Sequence, residues 1–304
     1  MLQRGAMSWW RRAPPAAGRI AMHNELEILK ARAEATYNAA ADSFDAGPTG
    51  FWARYGKRTV ERLGLRRGQL VLDVGCGTGN TALPAAARIG PRGRVVAVDL
   101  AERMLAEGRR KAAALDIANI VFCRADMTAL DFPERHFDAV ISAFSFFLVP
   151  DLERHLAELW RLVRPGGQLA ITTWGANLFE PCATAFWQSV ERLQPGPERG
   201  FKPWAGVDYG LILRNLLLQA DLPAAEIEDE AGSQELVAPE DWWTIVLGSS
   251  LRSVVDRMSP PEAEALRRAN VDWVAGKRIQ AIETNVTYAR LRKAKAAKPP
   301  TLKP

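Results

Sequence analysis

The residues with the clearest chemistry follow a short apolar run, in the segment VLDVGCGTGN at positions 71–80. Its three glycines let a chain that leaves a strand turn tightly and approach a ligand closely. The helix expected next presents free N–H groups and the positive end of its dipole, which favour an anion. An acid, Asp73, stands two residues before the first glycine. It would repel a pyrophosphate, and it suits a ligand that carries both a cationic amine and a carboxylate.

Two further acids stand at the ends of the next two apolar runs. Asp99 lies near the end of RVVAVDL, and the pair Asp126-Met127 follows IVFCR. In open α/β sheets, ligands bind outside the carboxyl ends of the strands. We therefore expect Asp73, Asp99 and Asp126 to face one ligand site.

The apolar runs alternate with helical patterns, which predicts a mostly parallel sheet covered by helices on both faces. Two cap helices are expected before the first strand, and a later helix is expected to stop in a turn at Arg164-Pro165-Gly166-Gly167. The last strand is expected to be antiparallel, at or near an edge. The seven predicted strands are Leu70 to Val74, Arg94 to Leu100, Ile120 to Asp126, Phe137 to Phe144, Gln168 to Trp174, Ala224 to Glu230 and Gln280 to Arg292.

The glycine loop, the acids at the strand ends and the segment LWRLVRPGGQLAITTW together resemble the class I S-adenosylmethionine-dependent methyltransferases. Within that class the chain is most similar to the small-molecule branch (methyltransferase type 11) that includes the ubiquinone and menaquinone C-methyltransferases. The similarity runs from about Tyr37 to Trp174 and is weaker through the last strand. It implies a Rossmann-like, doubly wound α/β fold with a helical cap, and S-adenosylmethionine as the cofactor.

The resemblance also implies individual roles. Asp73 would hold the loop and face the methionine end, Asp99 would take both ribose hydroxyls, and Asp126 would receive the adenine amino group. Ser142 would lie near the reacting sulfonium, and Tyr37 would close over the cofactor. Helix capping for the two later acids, and simple packing for the tyrosine, stay open as alternatives. The other implied cofactor contacts are Gly75, Gly77, Gly79, Leu100 and Met127.

Aromatic residues are concentrated at and beyond the carboxyl ends of the fourth and fifth strands, which predicts a largely apolar acceptor pocket. The alternative is that some of them only pack the cap on the sheet. The predicted pocket residues are Phe144, Phe146, Trp174, Phe179, Trp187 and Trp204.

No catalytic side chain is assigned, because methyl transfer is a direct displacement in which the enzyme aligns the reactants and excludes water. The histidine pair that the family often carries after the fourth strand is replaced here by the apolar stretch 143–148. His155 is expected on an exposed helix face, His136 in a turn and His23 in the N-terminal segment, so none is a good candidate for a base.

Composition fits a cytoplasmic enzyme with a small-molecule acceptor. The three cysteines show neither disulfide nor metal-site spacing, and no apolar run is long enough to span a membrane. The net charge of +5 arises at the ends: four arginines precede Glu25 and six basic residues follow from Arg290, with no acid in either segment. A basic body, which nucleic-acid binding would favour, is absent. A homodimer is compatible with the sequence.

The predicted domain organisation is a disordered leader (1–24), cap helices (25–65), a methyltransferase core (66–293) and a basic disordered tail (294–304). Helical insertions are expected at about 175–205 and 239–276. Three other functions stay open: an NAD(P)-dependent oxidoreductase, a methyltransferase acting on nucleic acid or protein, and an inactive cofactor-binding module. The acid before the glycines, and Asn80 where a dinucleotide fingerprint has Gly or Ala, disfavour the first of these.

Overall fold

The computed structural model describes residues 16–195 and 208–295, with the side chains of residues 16–25 left out of the description. Two helices precede the sheet, α1 (Ala16–Phe44) and α2 (Phe51–Leu63), as the sequence predicts. Helix α1 begins inside the segment expected to be a disordered leader, so residues 16–24 are helical. Residues 1–15 and 296–304 of the predicted leader and tail lie outside the described residues.

The predicted seven-stranded, mostly parallel sheet is confirmed, with the strand order β3-β2-β1-β4-β5-β9-β6. Strands β1 to β5 run parallel, and β9 lies antiparallel between β5 and the edge strand β6. A separate pair, β7 and β8, forms a small antiparallel sheet. The strands are β1 (Leu70–Val74), β2 (Arg94–Asp99), β3 (Ile120–Arg124), β4 (Phe137–Ala143), β5 (Val163–Trp174), β6 (Glu226–Glu230), β7 (Ser233–Glu235), β8 (Ala281–Glu283) and β9 (Val286–Arg292).

Helices follow the strands and cover both faces of the sheet. Their inward faces are apolar, so the parallel strands are buried on both sides. Helices α6 and α8 to α10 form a second group, called the cap from here on and distinct from the predicted cap helices α1 and α2. This cap has its own buried cluster around Trp242, whose indole N–H donates to Asn270 Oδ1 at 3.0 Å. The helices after α2 are α3 (Ala82–Ile89), α4 (Glu102–Ala114), α5 (Leu152–Leu162), α6 (Cys182–Leu193), α7 (Tyr209–Gln219), α8 (Glu240–Leu247), α9 (Arg252–Val255) and α10 (Pro260–Lys277).

Two local predictions about the sheet are wrong. The segment 164–167, expected as a turn, belongs to the start of β5, where the pairing with β4 shifts register between Phe137 and Ala139. Gly166 there has a φ of +77°, and its N–H donates to the carbonyl of Lys293 at 3.0 Å, so the backbone groups are satisfied inside the sheet. The single last strand expected at 280–292 is divided into β8, which pairs with β7, and β9, which pairs with β5 and β6.

The topology brings the ends of β1, β2, β3, β4 and β5 to one edge of the sheet. Helix α1 crosses above the first three of these strand ends, and the cap lies beside the last two. This edge is where the polar residues predicted for the cofactor meet the aromatic residues predicted for the acceptor.

Candidate active site

The glycine loop after β1 is held close to its neighbours on both sides. The N–H groups of Gly75 and Cys76 both donate to the carbonyl of Val98, at 2.8 and 3.0 Å. Gly75 has a φ of +68°, and a Cβ there would lie 2.3 Å from the Cβ of Ser145. Only glycine fits this position, since a side chain would force β1 and the loop after β4 apart.

Asp99, at the end of β2, receives two backbone hydrogen bonds at the wall of the cleft. Gly77 N–H donates to its Oδ2 at 2.8 Å, and Ala101 N–H donates to its Oδ1 at 2.9 Å. Burial raises the pKa of the carboxyl, and these backbone donors partly offset that rise. A carboxylate has about four acceptor positions, so each oxygen keeps capacity for a ligand hydroxyl.

Asp126 follows β3 and is the third acid of the cleft. Its Oδ1 accepts the N–H of Thr128 at 2.7 Å, and its Oδ2 lies 2.6 Å from the ammonium of Lys30 on α1. Burial raises the pKa of this carboxyl, but the hydrogen bonds from Lys30 and Thr128 outweigh burial and leave the pKa below its usual value. Met127 and Leu100 line the same end of the cleft.

Asp73 is buried beneath the loop, and its Oδ2 has no hydrogen-bond partner among the described residues. Burial, reinforced by the charge of Asp99, raises its pKa to about 8, although a backbone hydrogen bond from Ala82 lowers it. A buried acceptor without a donor is costly. A cationic amine near this position would supply what is missing, so the residues present fit the amino-acid end of S-adenosylmethionine.

The glycine loop, Asp99 and Asp126 line a cleft of about 940 Å³, measured to its open mouth, whereas Asp73 lies beneath the loop and does not reach the cleft surface. One face of α1 closes it from above, through the side chains of Leu26, Lys30, Ala33, Glu34 and Tyr37. The ring of Tyr37 packs edge-on to Phe44 at 6.5 Å, and burial together with the charge of Asp99 raises the pKa of its hydroxyl. The tyrosine therefore stays protonated and offers a hydrogen-bond donor to the cleft.

Not every residue predicted for the cofactor faces the cleft. Gly79 lies behind the loop, against the ring of Phe122. Ser142 is fully buried, and its hydroxyl is 2.9 Å from that of Ser145, which does line the cleft. Ser145 also donates to the carbonyl of Val74 at 2.7 Å. Ser145, two residues beyond the end of β4, is therefore the member of this pair that lines the cleft.

Four polar side chains that the sequence analysis missed fix the glycine loop to its surroundings. Asp45 accepts from Thr78 Oγ1 at 3.1 Å and from Asn80 Nδ2 at 2.9 Å. Lys111 on α4 contacts the other oxygen of Asp45 at 2.8 Å and Asn80 Oδ1 at 3.0 Å. The loop motif itself supplies Thr78 and Asn80, but no local pattern points to the acid after α1 or the lysine on α4.

A second cavity, of about 480 Å³, adjoins the cofactor cleft, and Trp52 and Phe144 are among the residues that line both. The rings of Phe144 and Trp174 are 4.3 Å apart, and Trp52 lies 5.4 Å from the first and 5.3 Å from the second. Phe144 has a φ of +57°, an uncommon conformation for a bulky residue. Phe179, Tyr209, Thr173, Ser249 and Ser250 complete the walls.

The predicted acceptor residues divide into two groups. Phe144, Trp174 and Phe179 line the second cavity, as predicted. The placement of Phe146 and Trp187 in that cavity is wrong: Phe146 is fully buried against Phe147 and His155, and Trp187 packs on Phe186 within the cap. Trp204 lies outside the described residues. Trp52 and Tyr209 were missed, because only tertiary packing brings α2 and α7 to this cavity.

His155 is also placed differently from its prediction. It was expected on an exposed face, but only 4% of its surface is accessible, and neither ring nitrogen has a hydrogen-bond partner in the described residues. Burial lowers its pKa to about 4, against the opposing charges of Glu158 and Asp126. The imidazole is therefore a neutral packing residue behind Phe146.

Comparisons with known proteins agree with this geometry. Residues 71–167 match a family described as a methyltransferase domain. The chain is 34% identical over 148 residues to the ubiquinone/menaquinone biosynthesis C-methyltransferase UbiE of Psychromonas ingrahamii, covering 48% of this chain and 58% of that protein. It is 33% identical over 153 residues to UbiE of an Enterobacter species, covering 50% and 60%. The matched region thus spans less than two thirds of the length of these curated relatives.

A solved structure, the YcgJ protein of Bacillus subtilis, shares the fold at 16% identity and a TM-score of 0.52, covering 80% of this chain and all of that one. With the glycine loop and the acids at the ends of β1, β2 and β3, these matches define a class I S-adenosylmethionine-dependent methyltransferase domain. Among curated proteins, this domain resembles those of the UbiE C-methyltransferases.

Proposed function

We propose that the protein transfers a methyl group from S-adenosylmethionine to a carbon or oxygen of a small, largely apolar acceptor, such as a phenol, a quinol or a polyketide-like molecule. The observation that carries the proposal is a pair of adjoining cavities. A polar cleft lined by Asp99 and Asp126 lies next to a pocket walled by Trp174, and Trp52 and Phe144 line both. Apolar, aromatic walls with a few polar groups are typical of sites for small organic ligands.

The residues of the polar cleft would hold the cofactor by its three parts. Asp73 and the glycine loop suit the amino-acid end, Asp99 the ribose hydroxyls, and Asp126 the adenine amino group. When bound, S-adenosylmethionine supplies an electrophilic methyl group. Tyr37 and the rest of the inward face of α1 would keep water away from the join between the two cavities.

Among the residues that the structure describes, the titratable side chains lining the acceptor pocket are Tyr37 and Tyr209, and burial raises the pKa of both. Both stay protonated at neutral pH, so they orient an acceptor by hydrogen bonding and do not remove its proton. The acceptor must then supply its own nucleophile through its own acidity, as a phenol, a quinol or an enol does. This favours direct displacement without a general base.

Two of the other functions fit the cavities less well. A dinucleotide would place its pyrophosphate on the glycine loop, where Asn80 stands in place of the Gly or Ala of a dinucleotide fingerprint and is bound to Asp45 and Lys111. A nucleic acid or a protein side chain would have to reach a pocket beneath α1 and the cap.

The test has two parts. S-Adenosylhomocysteine should bind in the micromolar range and raise the Tm of the protein, because it binds the folded state only. Asp99→Ala should lose most of this shift, while Asp131→Ala, at an exposed position, should keep it. An Asp99→Ala protein with the full shift would remove this residue from the site, and NAD in place of S-adenosylhomocysteine should give no shift.

For the acceptor, cell extract is incubated with the enzyme and S-adenosylmethionine carrying a labelled methyl group. Labelled product is then identified by mass spectrometry in the organic extract. Label found only in nucleic acid or protein would contradict the proposed acceptor class. No label above the Asp99→Ala control in any fraction would favour an inactive cofactor-binding module.

A further inference from the structure

Three ion pairs attach α1 to the elements below it: two to the end of β3 and the residues that follow it, and one to α4. Lys30 pairs with Asp126, Glu34 with Arg124, and Asp42 with Arg103, each at 2.6 Å. Their exposure differs. The side chains of Lys30 and Asp126 are 19% and 24% exposed, whereas those of Arg103 and Asp42 are 53% and 74% exposed. Exposed ion pairs contribute little to stability. The less exposed Lys30–Asp126 pair is therefore expected to contribute more than the Asp42–Arg103 pair.

The hydrogen bonds around Asp126 leave little freedom to its carboxylate. Thr128 N–H donates to Oδ1, Lys30 donates to Oδ2, and the single hydroxyl hydrogen of Thr128 is shared between the two oxygens at 2.8 and 2.9 Å. These three donors occupy three of about four acceptor positions. One position is left, and the residue lines the cleft next to Met127 and Leu100.

We propose that Lys30 is a positioning residue for base recognition: it holds the Asp126 carboxylate so that its one remaining acceptor position receives the amino group of adenine. The inference rests on the proposed function, which places the adenine at this end of the cleft. Without Lys30 the carboxylate keeps only its bonds to Thr128, and its Oδ2 is free to rotate toward solvent.

The placement of Lys30 on α1 adds a consequence. The same helix that covers the cleft also fixes the group that reads the base, so a ligand with the correct base favours the closed position of α1. A ligand without the amino group makes no hydrogen bond to the remaining acceptor position, and it gains nothing from the orientation that Lys30 imposes.

The experiment compares two ligands by titration calorimetry: S-adenosylhomocysteine and its 6-deamino analogue, which carries an unsubstituted purine. The wild-type protein is compared with Lys30→Met, Lys30→Arg and Asp42→Asn. The last variant is the matched control, because it breaks another ion pair of the same helix at the same distance without touching Asp126. The size of a hydrogen bond to a charged group sets the expected effect: without Lys30, the preference for the amino-bearing ligand should fall about tenfold.

We expect Lys30→Met to lower the preference for the amino-bearing ligand about tenfold, mainly through a higher Kd for S-adenosylhomocysteine. Lys30→Arg should restore most of the preference, and Asp42→Asn should leave it unchanged. Equal weakening of both ligands in Lys30→Met would mean a merely structural role and overturn the inference, as would an unchanged preference. In both cases the proposed function stands, whereas a wild-type protein that binds neither ligand would contradict the proposed function itself.

Discussion

The cofactor cleft and the acceptor pocket share a wall but are built in opposite ways. The cleft uses acids at the ends of β2 and β3, and each accepts a backbone N–H from the residue two positions further along the chain. The acceptor pocket uses aromatic rings from α2, the ends of β4 and β5, and α7. The acids of the cleft can therefore be located from their own segments, whereas the acceptor pocket exists only once distant helices have packed.

The largest expected effect tests the boundary of the acceptor pocket, with two phenylalanines two positions apart. Phe146→Ala should cost about 3 to 5 kcal/mol of unfolding free energy, because its ring is fully buried against Phe147 and His155. Phe144→Ala should cost about 1 kcal/mol, since its ring is only partly buried. Urea unfolding of both variants measures the difference.

The variant with the smaller effect on stability should have the larger effect on the kinetics. Phe144→Ala should raise KM for the acceptor and leave the Kd for S-adenosylhomocysteine within about threefold, as expected for lost acceptor binding alone. The folded fraction of Phe146→Ala should show wild-type KM. A raised KM in Phe146→Ala at unchanged stability would move the wall of the pocket to that residue.

Phe144 and Phe146 also show which parts of the site can be predicted from the sequence and which cannot. The glycine spacing and the acids at strand ends locate the cleft, because each lies a fixed, short distance from a predicted strand. Phe144 and Phe146 both follow β4, and nothing local separates them. The left-handed conformation at Phe144 and the short helical turn after it direct one ring to the pocket and the other to the core.

Long-range polar contacts could not be predicted from the sequence, for a related reason. Lys30 and Asp126 are far apart along the chain, as are Asp45 and Lys111, and each is unremarkable in its own segment. The burial of His155 depends on tertiary packing, since the ring of Phe146 lies 5.4 Å from its imidazole.

The second prediction tests whether the cleft depends on local backbone geometry. Gly75→Ala should weaken S-adenosylhomocysteine binding about 100-fold, since the added Cβ would lie 2.3 Å from that of Ser145 and would displace the loop by a fraction of an ångström or more. Calorimetry gives the Kd, and far-UV circular dichroism shows whether the sheet is intact.

A second glycine provides the control for backbone strain. Gly64 ends α2 with a φ of +59°, similar to that of Gly75, but a Cβ there meets nothing within 4 Å. Gly64→Ala should cost about 1 kcal/mol of stability and leave the Kd unchanged. If both variants weaken binding equally, strain and not contact with Ser145 governs the loop.

The smallest expected effect concerns the core behind the acceptor pocket and its dependence on pH. Burial lowers the pKa of His155 to about 4, although the carboxylates of Glu158 and Asp126 act in the opposite direction. Between about pH 6.5 and pH 4 the unfolded chain therefore binds a proton that the folded protein does not, and the free energy of unfolding falls as the pH falls. At pH 5 the loss from this one group amounts to about 2 kcal/mol relative to pH 8.

His155→Leu should remove that part of the pH dependence of the unfolding free energy, whereas His136→Leu, at an exposed position, should keep it. Urea unfolding at pH 5 and pH 8 measures both differences. An unchanged slope in His155→Leu would mean that the imidazole gains a hydrogen-bond partner on protonation, and that the core behind the pocket is less closed than the structure has it.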